Sequence, residues 1–382
     1  MVAPITADES VKLEELRKSI SDTAPGAKFN DGCLLRWLRA KDGNVVAATD
    51  GLKKCATFRK AFGLDDLDSW RRPEVLAKYY GYGYPCCDRE GSPVLLSMFG
   101  NNDFEGIMKS CQALDYIKVS LAHLEEGIAK ADAIAKEKGA PYEQLVLVVD
   151  SENMTTSHYT FRPFTHSYLS LISTFQDYYP LVLKKVVVIR APAMAQYAYS
   201  LMRPLLSNSI QELVEMASDD WKERLFEMID RDQWPALWGG SRSNGIEPAS
   251  KMNYTIEHVP PACYYDPSTD KTDYDEITVY AGNKHILELD VIEPGALIYW
   301  KFKTRNEDIG FAIYFDPSDG ECGDLEVMEP IFPYFRLECS QVPIEGSMKC
   351  PAKGKYVVEF DNYYSWFSAK ELSFSVRVIE PL

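Results

Sequence analysis

The sequence predicts an α/β domain with a parallel sheet, preceded by a small helical unit and followed by an antiparallel β-sandwich. Two apolar runs, 145–150 and 186–189, are each followed by a stretch whose apolar residues recur at helical spacing. Strand and helix in alternation favour parallel strands joined by crossover helices. Neither run alternates with polar residues, so we expect both faces of the sheet to be covered.

The N-terminal third of the chain is predicted to be mainly helical. Asn30 and Asn44 each precede an apolar periodic stretch and suit the N-cap position. Pro73 suits the first turn of a further helix over 74–80, and Gly81, Gly83 and Pro85 are expected to break the helical pattern after it. Residues 88–91 are typical of a hairpin turn and are expected to lead into a strand over 93–99. A long helical region is predicted over 104–138, where apolar residues recur every three or four positions.

From residue 252 onward the pattern changes to short strands separated by Pro, Gly, Asp and Asn. The segments predicted as strands are 277–280, 285–291, 296–302, 310–315, 354–360 and 371–378. Charge changes at the same boundary. Residues 1–244 hold 33 acidic and 29 basic side chains (net −4), whereas residues 245–382 hold 24 and 12 (net −12). We therefore expect a separate antiparallel β-sandwich there.

The composition excludes several functional classes. The net charge is −16, so no basic patch is expected to neutralise a nucleic-acid backbone. The nine cysteines contain no C-x-x-C spacing, which is typical of reduced thiols in a cytoplasmic protein. No apolar run approaches the roughly 20 residues that span a bilayer.

The sequence also argues against an enzyme. It contains neither a G-x-S-x-G elbow nor a Walker A sequence, and Gly81-Tyr82-Gly83 lacks the third glycine of a dinucleotide fingerprint. The five histidines are scattered, and none shows metal-ligand spacing. Asp150 ends a predicted strand, where a doubly wound enzyme places catalytic groups. We expect it instead to cap local backbone, and we predict no catalytic residue and no metal site.

Several motifs, taken together and in order, resemble one known family. They are LLRWLRAK at 34–41, the strand 145–150, Tyr178-Tyr179-Pro180, the strand 186–189, Arg203-Pro204-Leu205-Leu206 and Trp238-Gly239-Gly240. Their order and spacing are similar to Sec14-like (CRAL-TRIO) lipid-transfer proteins. Residues 354–366 resemble the end of a GOLD domain. The whole chain resembles animal Sec14-like proteins with a C-terminal GOLD domain, of the supernatant protein factor type.

The resemblance implies three units: a helical CRAL-TRIO N-terminal unit (1–72), a CRAL-TRIO lipid-binding domain (73–245) and a GOLD β-sandwich (252–382). It implies a bowl with a sheet as its floor, helices as its walls and a mobile gate helix over roughly 193–210. The family's ligands include phosphatidylinositol, phosphatidylcholine, tocopherols, retinal and squalene. Beyond such a bound hydrophobic ligand, we expect no cofactor.

Periodic apolar faces and alignment to the family give candidate binding residues. The lipid-pocket candidates are Tyr116, Ile117, Ser120, Leu121, Leu124, Val149, Tyr168, Leu171, Phe175, Tyr179, Leu183, Val186 and Val188. The gate candidates, expected to present an apolar inner face, are Met194, Tyr197, Ala198, Leu201, Met202 and Leu205. Each pocket candidate has the alternative of packing as ordinary core. Tyr116, Ser120 and Tyr168 are candidates for orienting a polar head by hydrogen bonding.

Departures from the family pattern bear on the ligand. Phosphoinositide-binding members carry basic residues after the signature helix, a Glu after the Tyr-Pro segment and a Lys beyond the gate. Here those places hold Lys41-Asp42, Leu181 and Leu213. An inositol phosphate head would lack most of its partners, and burying it unpaired is costly. We therefore expect a bias toward neutral lipids such as a tocopherol or squalene.

The expected partners are a hydrophobic small molecule, a transient membrane surface and a protein that contacts the GOLD domain. The expected location is cytoplasmic, with reversible association with Golgi or other membranes. The alternative function is a lipid-regulated adaptor in Golgi or vesicle trafficking. In that case the acidic C-terminal region, with its aromatic segment 363–367, would bind a basic partner.

Overall fold

A computed structural model describes residues 2–24, 26–217, 219–242, 257–317 and 324–381. The chain begins with three packed helices: α1 (Ala7–Thr23), α2 (Asp31–Ala40) and α3 (Val45–Phe62). Both predicted caps are confirmed. The side chains of Asn30 and Asn44 accept hydrogen bonds from the backbone N–H groups of Cys33 and Ala47, at 2.8 and 3.1 Å. Each satisfies a helix-terminal donor that the helix itself leaves unpaired.

A five-stranded sheet and eight further helices form the middle of the chain. The helices are α4 (Glu74–Tyr79), α5 (Phe104–Met108), α6 (Ala113–Lys138), α7 (Ser157–Thr160), α8 (Arg162–Tyr178), α9 (Ala193–Met202), α10 (Asn208–Leu213) and α11 (Trp221–Met228). The strands, in spatial order, are β1 (Tyr82–Cys87), β2 (Pro93–Ser97), β3 (Leu145–Asp150), β4 (Leu183–Ile189) and β5 (Val214–Met216). Strands β2 to β5 are parallel, as predicted, and β1 is antiparallel to β2.

The helical pattern ends before Gly81, as predicted, and the predicted hairpin turn over 88–91 joins β2 to β1, a strand that includes Gly83 and Pro85. This strand lies at the sheet edge with an irregular register between Gly83 and Cys86, and an edge tolerates proline. The single helix predicted over 104–138 is divided by residues 109–112. Gln112 has extended backbone, and its side-chain carbonyl accepts a hydrogen bond from the backbone N–H of Glu345 at 2.8 Å.

The C-terminal region forms two four-stranded antiparallel sheets, in agreement with the predicted sandwich. The strands are β6 (Asp275–Val279), β7 (Lys284–Val291), β8 (Leu297–Thr304), β9 (Asp308–Asp316), β10 (Glu329–Glu338), β11 (Ile344–Lys349), β12 (Gly354–Asp361) and β13 (Lys370–Ile379). One sheet has the order β10-β9-β12-β7 and the other β11-β8-β13-β6. Between them lie fully buried rings, including Phe302 and Phe311, whose centroids are 4.7 Å apart. Strands β10 and β11 were not predicted.

The sandwich packs directly against the helices that precede it. Phe58 and Phe62 of α3 lie beside Phe335 of β10, with ring centroids 6.1 and 4.9 Å away. Ser170 of α8 donates its hydroxyl to the backbone carbonyl of Arg336 at 2.8 Å. One hydrophobic cluster therefore continues from the helices into the sandwich. The predicted boundary at 245–252 lies outside the described residues.

Candidate functional site

The two faces of the five-stranded sheet differ in how completely they are covered. On one face, called the packed face, six apolar side chains of β2, β3 and β4 have 0% exposure: Val94, Leu96, Val146, Val148, Val187 and Ile189. They pack with Trp234, Trp238 and residues of α11. The opposite face, called the floor face, consists of Leu145, Leu147, Val149, Val186, Val188 and Val214.

The floor face is covered incompletely although helices lie over it. Helices α6 and α8 contribute to the same hydrophobic cluster as the floor strands. Even so, Leu147, Val149, Val188 and Val214 each remain partly exposed. Leu147, Val149 and Val188 belong to the central strands β3 and β4, where apolar side chains are ordinarily excluded from water, whereas Val214 belongs to the edge strand β5. The side chains of the helices therefore leave the three central residues incompletely covered.

Eleven of the thirteen predicted pocket residues belong to one large hydrophobic cluster, which also extends into the sandwich. The other two, Ser120 and Val188, adjoin it on α6 and β4. Six of the thirteen are only partly buried and so border open space: Ser120, Val149, Tyr168, Leu171, Phe175 and Val188.

Other predicted pocket residues are packed as core in this conformation. Tyr116, Ile117 and Leu121 have exposures of 1%, 0% and 1%, so their side chains touch no open space. Leu124, Leu183 and Val186 are 8% exposed, and Tyr179 is 6% exposed. A contact between these residues and a ligand stays a prediction.

A pair of hydroxyl groups joins the residue after α4 to α6, and the sequence predicted only one of the two as a binding residue. Tyr80 and Ser120 are joined by a hydrogen bond of 3.0 Å, and the Ser120 hydroxyl also donates to the carbonyl of Tyr116 at 2.9 Å. The Tyr80 ring lies 5.5 Å from that of Tyr116. Tyr80 follows a helix of only six residues, which is too short for a periodic pattern to show its direction. Burial raises the pKa of Tyr168, the third predicted polar candidate, to about 12.

An ion pair that the sequence did not predict joins α3 to α6. Arg59 of α3 donates to Glu125 of α6 at 2.6 Å, and the Tyr179 hydroxyl donates to the same carboxylate oxygen at 2.7 Å. Burial, together with the Glu125 carboxylate, raises the pKa of Tyr179 well above its usual value. Because both charged side chains are less than one-fifth exposed, the pair fixes α3 against α6 and the end of α8.

A cavity of about 760 Å³ lies between α4 and α6. It is lined by Leu67, Asp68, Trp70, Arg72, Leu76, Ala77, Tyr80, Tyr82, Ala122, Glu125 and Glu126. None of the predicted pocket residues lines it. Tyr80 and Glu125 belong both to this lining and to the hydrogen-bonded groups described above.

Helix α9 occupies the predicted gate position, but its orientation differs from the prediction. Ala195 and Ala198 are 5% and 6% exposed and face inward, with Met194 and Met202 half-buried. The expected inward positions of Tyr197, Leu201 and Leu205 are wrong, because these side chains are 59%, 57% and 57% exposed. Within Ala193–Met202 only Gln196 and Ser200 are strongly polar, so periodicity could not select the buried face.

Both ends of α9 are tied to neighbouring elements. After the helix, the Gln176 side chain of α8 donates to the carbonyl of Leu205 at 3.3 Å and accepts the N–H of Ser207 at 2.7 Å. Before the helix, Arg190 has left-handed backbone (φ 51°) and pairs with Asp150 and Glu152. The Nε of Arg190 lies 2.9 Å from Asp150 Oδ1.

Asp150 has the structural role expected from the sequence. Its carboxylate accepts hydrogen bonds from the backbone N–H of Glu152 at 3.1 Å and from Trp238 Nε1 at 2.8 Å. With Arg190 it joins the ends of β3 and β4 to the segment after α11. The carboxylate is completely buried and fully partnered, which suits a stabilising group.

Within the described part of the chain, no helix has both the length and the apolar character to cross a membrane. The same residues contain no group of three or more His, Cys, Asp or Glu side chains placed to hold a metal ion.

Comparisons with known proteins agree with this architecture. A family model for the CRAL/TRIO domain matches residues 77–240. Protein ctg-1 of Caenorhabditis elegans is 44% identical over 382 residues, covering 99% of each chain. A CRAL-TRIO domain-containing protein of the same organism is 27% identical over an alignment that covers 85% of this chain and 47% of that protein. The crystal structure of Sfh5 has 13% sequence identity and a TM-score of 0.46, covering 56% of this chain and 81% of Sfh5.

The near-complete match to a relative at 44% identity and the family model together establish the relationship. The chain belongs to the CRAL-TRIO family of lipid-binding and lipid-transfer proteins.

Proposed function

We propose that this protein holds one hydrophobic lipid over the floor face, beneath α9, and transfers it between membranes or presents it to membrane enzymes. The observation that carries the proposal is the contrast between the two faces of one sheet. The six apolar side chains of the packed face are completely buried, whereas Leu147, Val149, Val188 and Val214 remain partly exposed. Open space lined by Leu and Val suits an apolar molecule.

The free energies involved require such a shielded site. Each methylene transferred into water costs about 0.8 kcal/mol, so a chain of about sixteen carbons needs roughly 10 kcal/mol or more of shielding. The half-buried side chains of Tyr168, Leu171 and Phe175 on α8 face the same cluster as the floor. They would gain burial on ligand binding.

The residues at the family's headgroup positions favour a neutral ligand, such as a tocopherol or squalene, over phosphatidylinositol. Leu213 packs against the hydrophobic cluster, and Leu181 is an exposed apolar side chain. Lys41 is exposed and lies 5.9 Å from the centroid of the Trp37 ring. An inositol phosphate buried here would leave its charge without the expected cations.

We also propose the domain assignment that the resemblance implies: residues 1–72 and 73–245 as the CRAL-TRIO unit, and residues 252–382 as a GOLD domain. Two antiparallel sheets over the described residues 275–379 support the second assignment. The acidic charge of this region sets it apart from the preceding domain.

Filling the space above the floor face tests the binding site. Val188→Trp adds volume at a partly exposed floor position without removing core atoms, and Val46→Trp is the same change at a side chain that is 71% exposed. Native mass spectrometry followed by organic extraction should find one lipid per chain in the wild type and in Val46→Trp. Val188→Trp should lose most of it. Full occupancy in a folded Val188→Trp protein would contradict the proposed site.

The ligand class is tested by offering vesicles that contain equal amounts of α-tocopherol, squalene and phosphatidylinositol. Extraction of the reisolated protein should recover the neutral lipids in excess. A complex with phosphatidylinositol that depends on the phosphate group would overturn the neutral bias.

A second function, as a lipid-regulated adaptor in Golgi or vesicle trafficking, is favoured by one contact. Helix α8 carries Leu171 and Phe175, which pack against the hydrophobic cluster that contains the floor residues, and it also donates a hydrogen bond from Ser170 to β10. Ligand binding could therefore reach the sandwich through one helix. Hydrogen exchange of β10 should slow on lipid loading if this coupling exists, and unchanged exchange would count against it.

A further inference from the structure

Four large aromatic side chains protrude from one end of the C-terminal sandwich. Tyr280, Tyr363, Trp366 and Phe367, here called the aromatic tip, are 65%, 71%, 87% and 94% exposed. They lie on two adjacent loops, residues 280–283 between β6 and β7 and residues 362–369 between β12 and β13. Large apolar side chains grouped at the surface usually mark an interaction site.

The base of the tip is rigid, whereas its aromatic side chains have few contacts. Asn362 is fully buried and donates its side-chain amide to the carbonyls of Val279 and Ser368, at 2.9 and 2.8 Å. Backbone hydrogen bonds of 2.9 and 3.0 Å join it to Asn283 and Gly282. The two loops are therefore fixed to each other, so the aromatic groups are presented with little ordering cost on binding.

Tyr364 differs from its neighbours and strengthens this base. It was grouped with the exposed aromatics on sequence alone, but its ring is half-buried under the Arg336 guanidinium, 3.8 Å from the ring centroid. Its hydroxyl donates to Asp308 at 3.1 Å. Of the aromatic residues in this loop, Tyr364 is structural, whereas Tyr363, Trp366 and Phe367 point outward.

The charge around the tip indicates what it contacts. Residues 245–382 have a net charge of −12, yet the twelve residues of the two loops contain no charged side chain. A surface that docks on a basic protein would carry acidic groups at its centre or rim. A neutral, protruding group of Trp, Tyr and Phe suits the headgroup region of a bilayer, where aromatic rings with polar atoms partition favourably.

We propose that the aromatic tip inserts into the interface of a zwitterionic lipid bilayer and holds the sandwich against the membrane. The tip lies on a different domain from the floor face, so it is a membrane contact additional to the lipid site. This proposal rests on the proposed function in one respect, which is that lipid exchange requires contact with a bilayer. Tip and α8 are near each other, because Lys370, at the end of the tip loop, pairs at 2.6 Å with Glu307, which also pairs with Arg162 at the start of α8.

Sedimentation with phosphatidylcholine vesicles tests the insertion. The variant carrying Trp366→Ser and Phe367→Ser should show at least a tenfold lower partition coefficient than the wild type. Ile292→Ser is the matched control, since Ile292 is 73% exposed but follows the far end of β7, roughly 25 Å from the tip. It should stay within twofold of the wild type. All of these side chains are exposed, so thermal midpoints should be unchanged.

Fluorescence gives a second, direct measurement. Vesicles with bromine on the acyl chains should quench wild-type tryptophan emission, and Trp366→Phe should lose that quenching while still sedimenting. Binding should persist at about 0.5 M salt because no ion pair is involved.

Three outcomes would overturn the proposal: no sedimentation of the wild type with these vesicles, equal binding by the double variant, or loss of binding in salt. The last would show that the contact with the vesicles is electrostatic. Lipid loading distinguishes the proposed membrane contact of the aromatic tip from the proposed lipid site over the floor face. The Trp366→Ser/Phe367→Ser variant should carry its lipid normally, whereas Val188→Trp should bind vesicles while lacking lipid.

Discussion

The packed face and the floor face belong to the same strands, yet they serve different purposes. Val187 and Val188 are neighbours of identical chemistry in β4. Val187 is completely buried against the tryptophan-rich cluster, whereas Val188 borders open space. The difference teaches that complete burial on one side of a sheet can supply stability while the other side stays incompletely covered, as the proposed lipid site requires.

Aspartate at these two positions should give the largest difference between the faces. Val187→Asp places a carboxyl where no water reaches, and we expect it to lower the free energy of unfolding by about 4 kcal/mol or more. Val188→Asp should cost about 1 kcal/mol. Urea denaturation followed by tryptophan fluorescence measures both. Equal losses would show that the floor face is packed as tightly as its opposite.

The buried carboxylate on the packed side should show the next largest effect. Asp150→Asn keeps the shape but removes the charge that faces Arg190, and we expect a loss of about 2–3 kcal/mol. Glu152→Gln removes the other, more exposed partner of Arg190 and should change stability by less than about 0.5 kcal/mol. A reversed ranking in thermal denaturation would assign the main role to Glu152.

The carboxylate of Asp115 on α6 is expected to lower stability, in contrast to that of Asp150. Burial at the start of α6 raises the pKa of Asp115 to about 6 from an ordinary value near 3.8. As pH rises from about 4 to 6, Asp115 ionises in the unfolded chain before it ionises in the folded one, so the free energy of unfolding falls. Above about pH 6 this loss stays constant. Asp115→Asn should raise stability at pH 7 by on the order of 1 kcal/mol.

The pH dependence supplies the control for that prediction. The gain from Asp115→Asn should fade as pH falls from 6 to 4, whereas the exposed substitution Asp177→Asn should give no comparable gain. Denaturation midpoints at pH 4, 5, 6 and 7 measure both variants. A gain that is the same at every pH would contradict the assigned cause.

The smallest effect is expected at the outer surface of α9. Leu201→Ala removes an exposed apolar side chain from α9, the proposed gate, and we expect lipid transfer between vesicles to slow about threefold. Bound lipid should be unchanged. Leu237→Ala, at another exposed leucine, is the control. Equal slowing by both would remove any special role for α9.

Much of this architecture follows from local sequence. Apolar runs identified β3 and β4, Asn caps identified α2 and α3, and alternation identified most of the sandwich. Strand β10 was missed because Pro330 and Pro333 interrupt its pattern; it lies at a sheet edge with two register irregularities, where proline is tolerated. Strand β5 has only three residues, too few to show a period.

The site was less predictable than the fold because its properties depend on tertiary contacts. Periodicity grouped Ile117 with Leu171, but only packing shows that Ile117 is core and Leu171 is half-buried. The link between Arg59 and Glu125 joins residues 66 positions apart. The orientation of α9 was also invisible, because alanine, methionine, tyrosine and leucine occupy all of its sides.

The two ends of α9 are attached unequally. A charged pair between Arg190 and Asp150 holds the near end, whereas two uncharged hydrogen bonds with Gln176 hold the far end. If α9 acts as the proposed gate, the uncharged end is expected to release first, so that the ten-residue helix, about 15 Å long, turns about residues 190–192. We therefore predict that the proposed lipid enters and leaves beside Leu205.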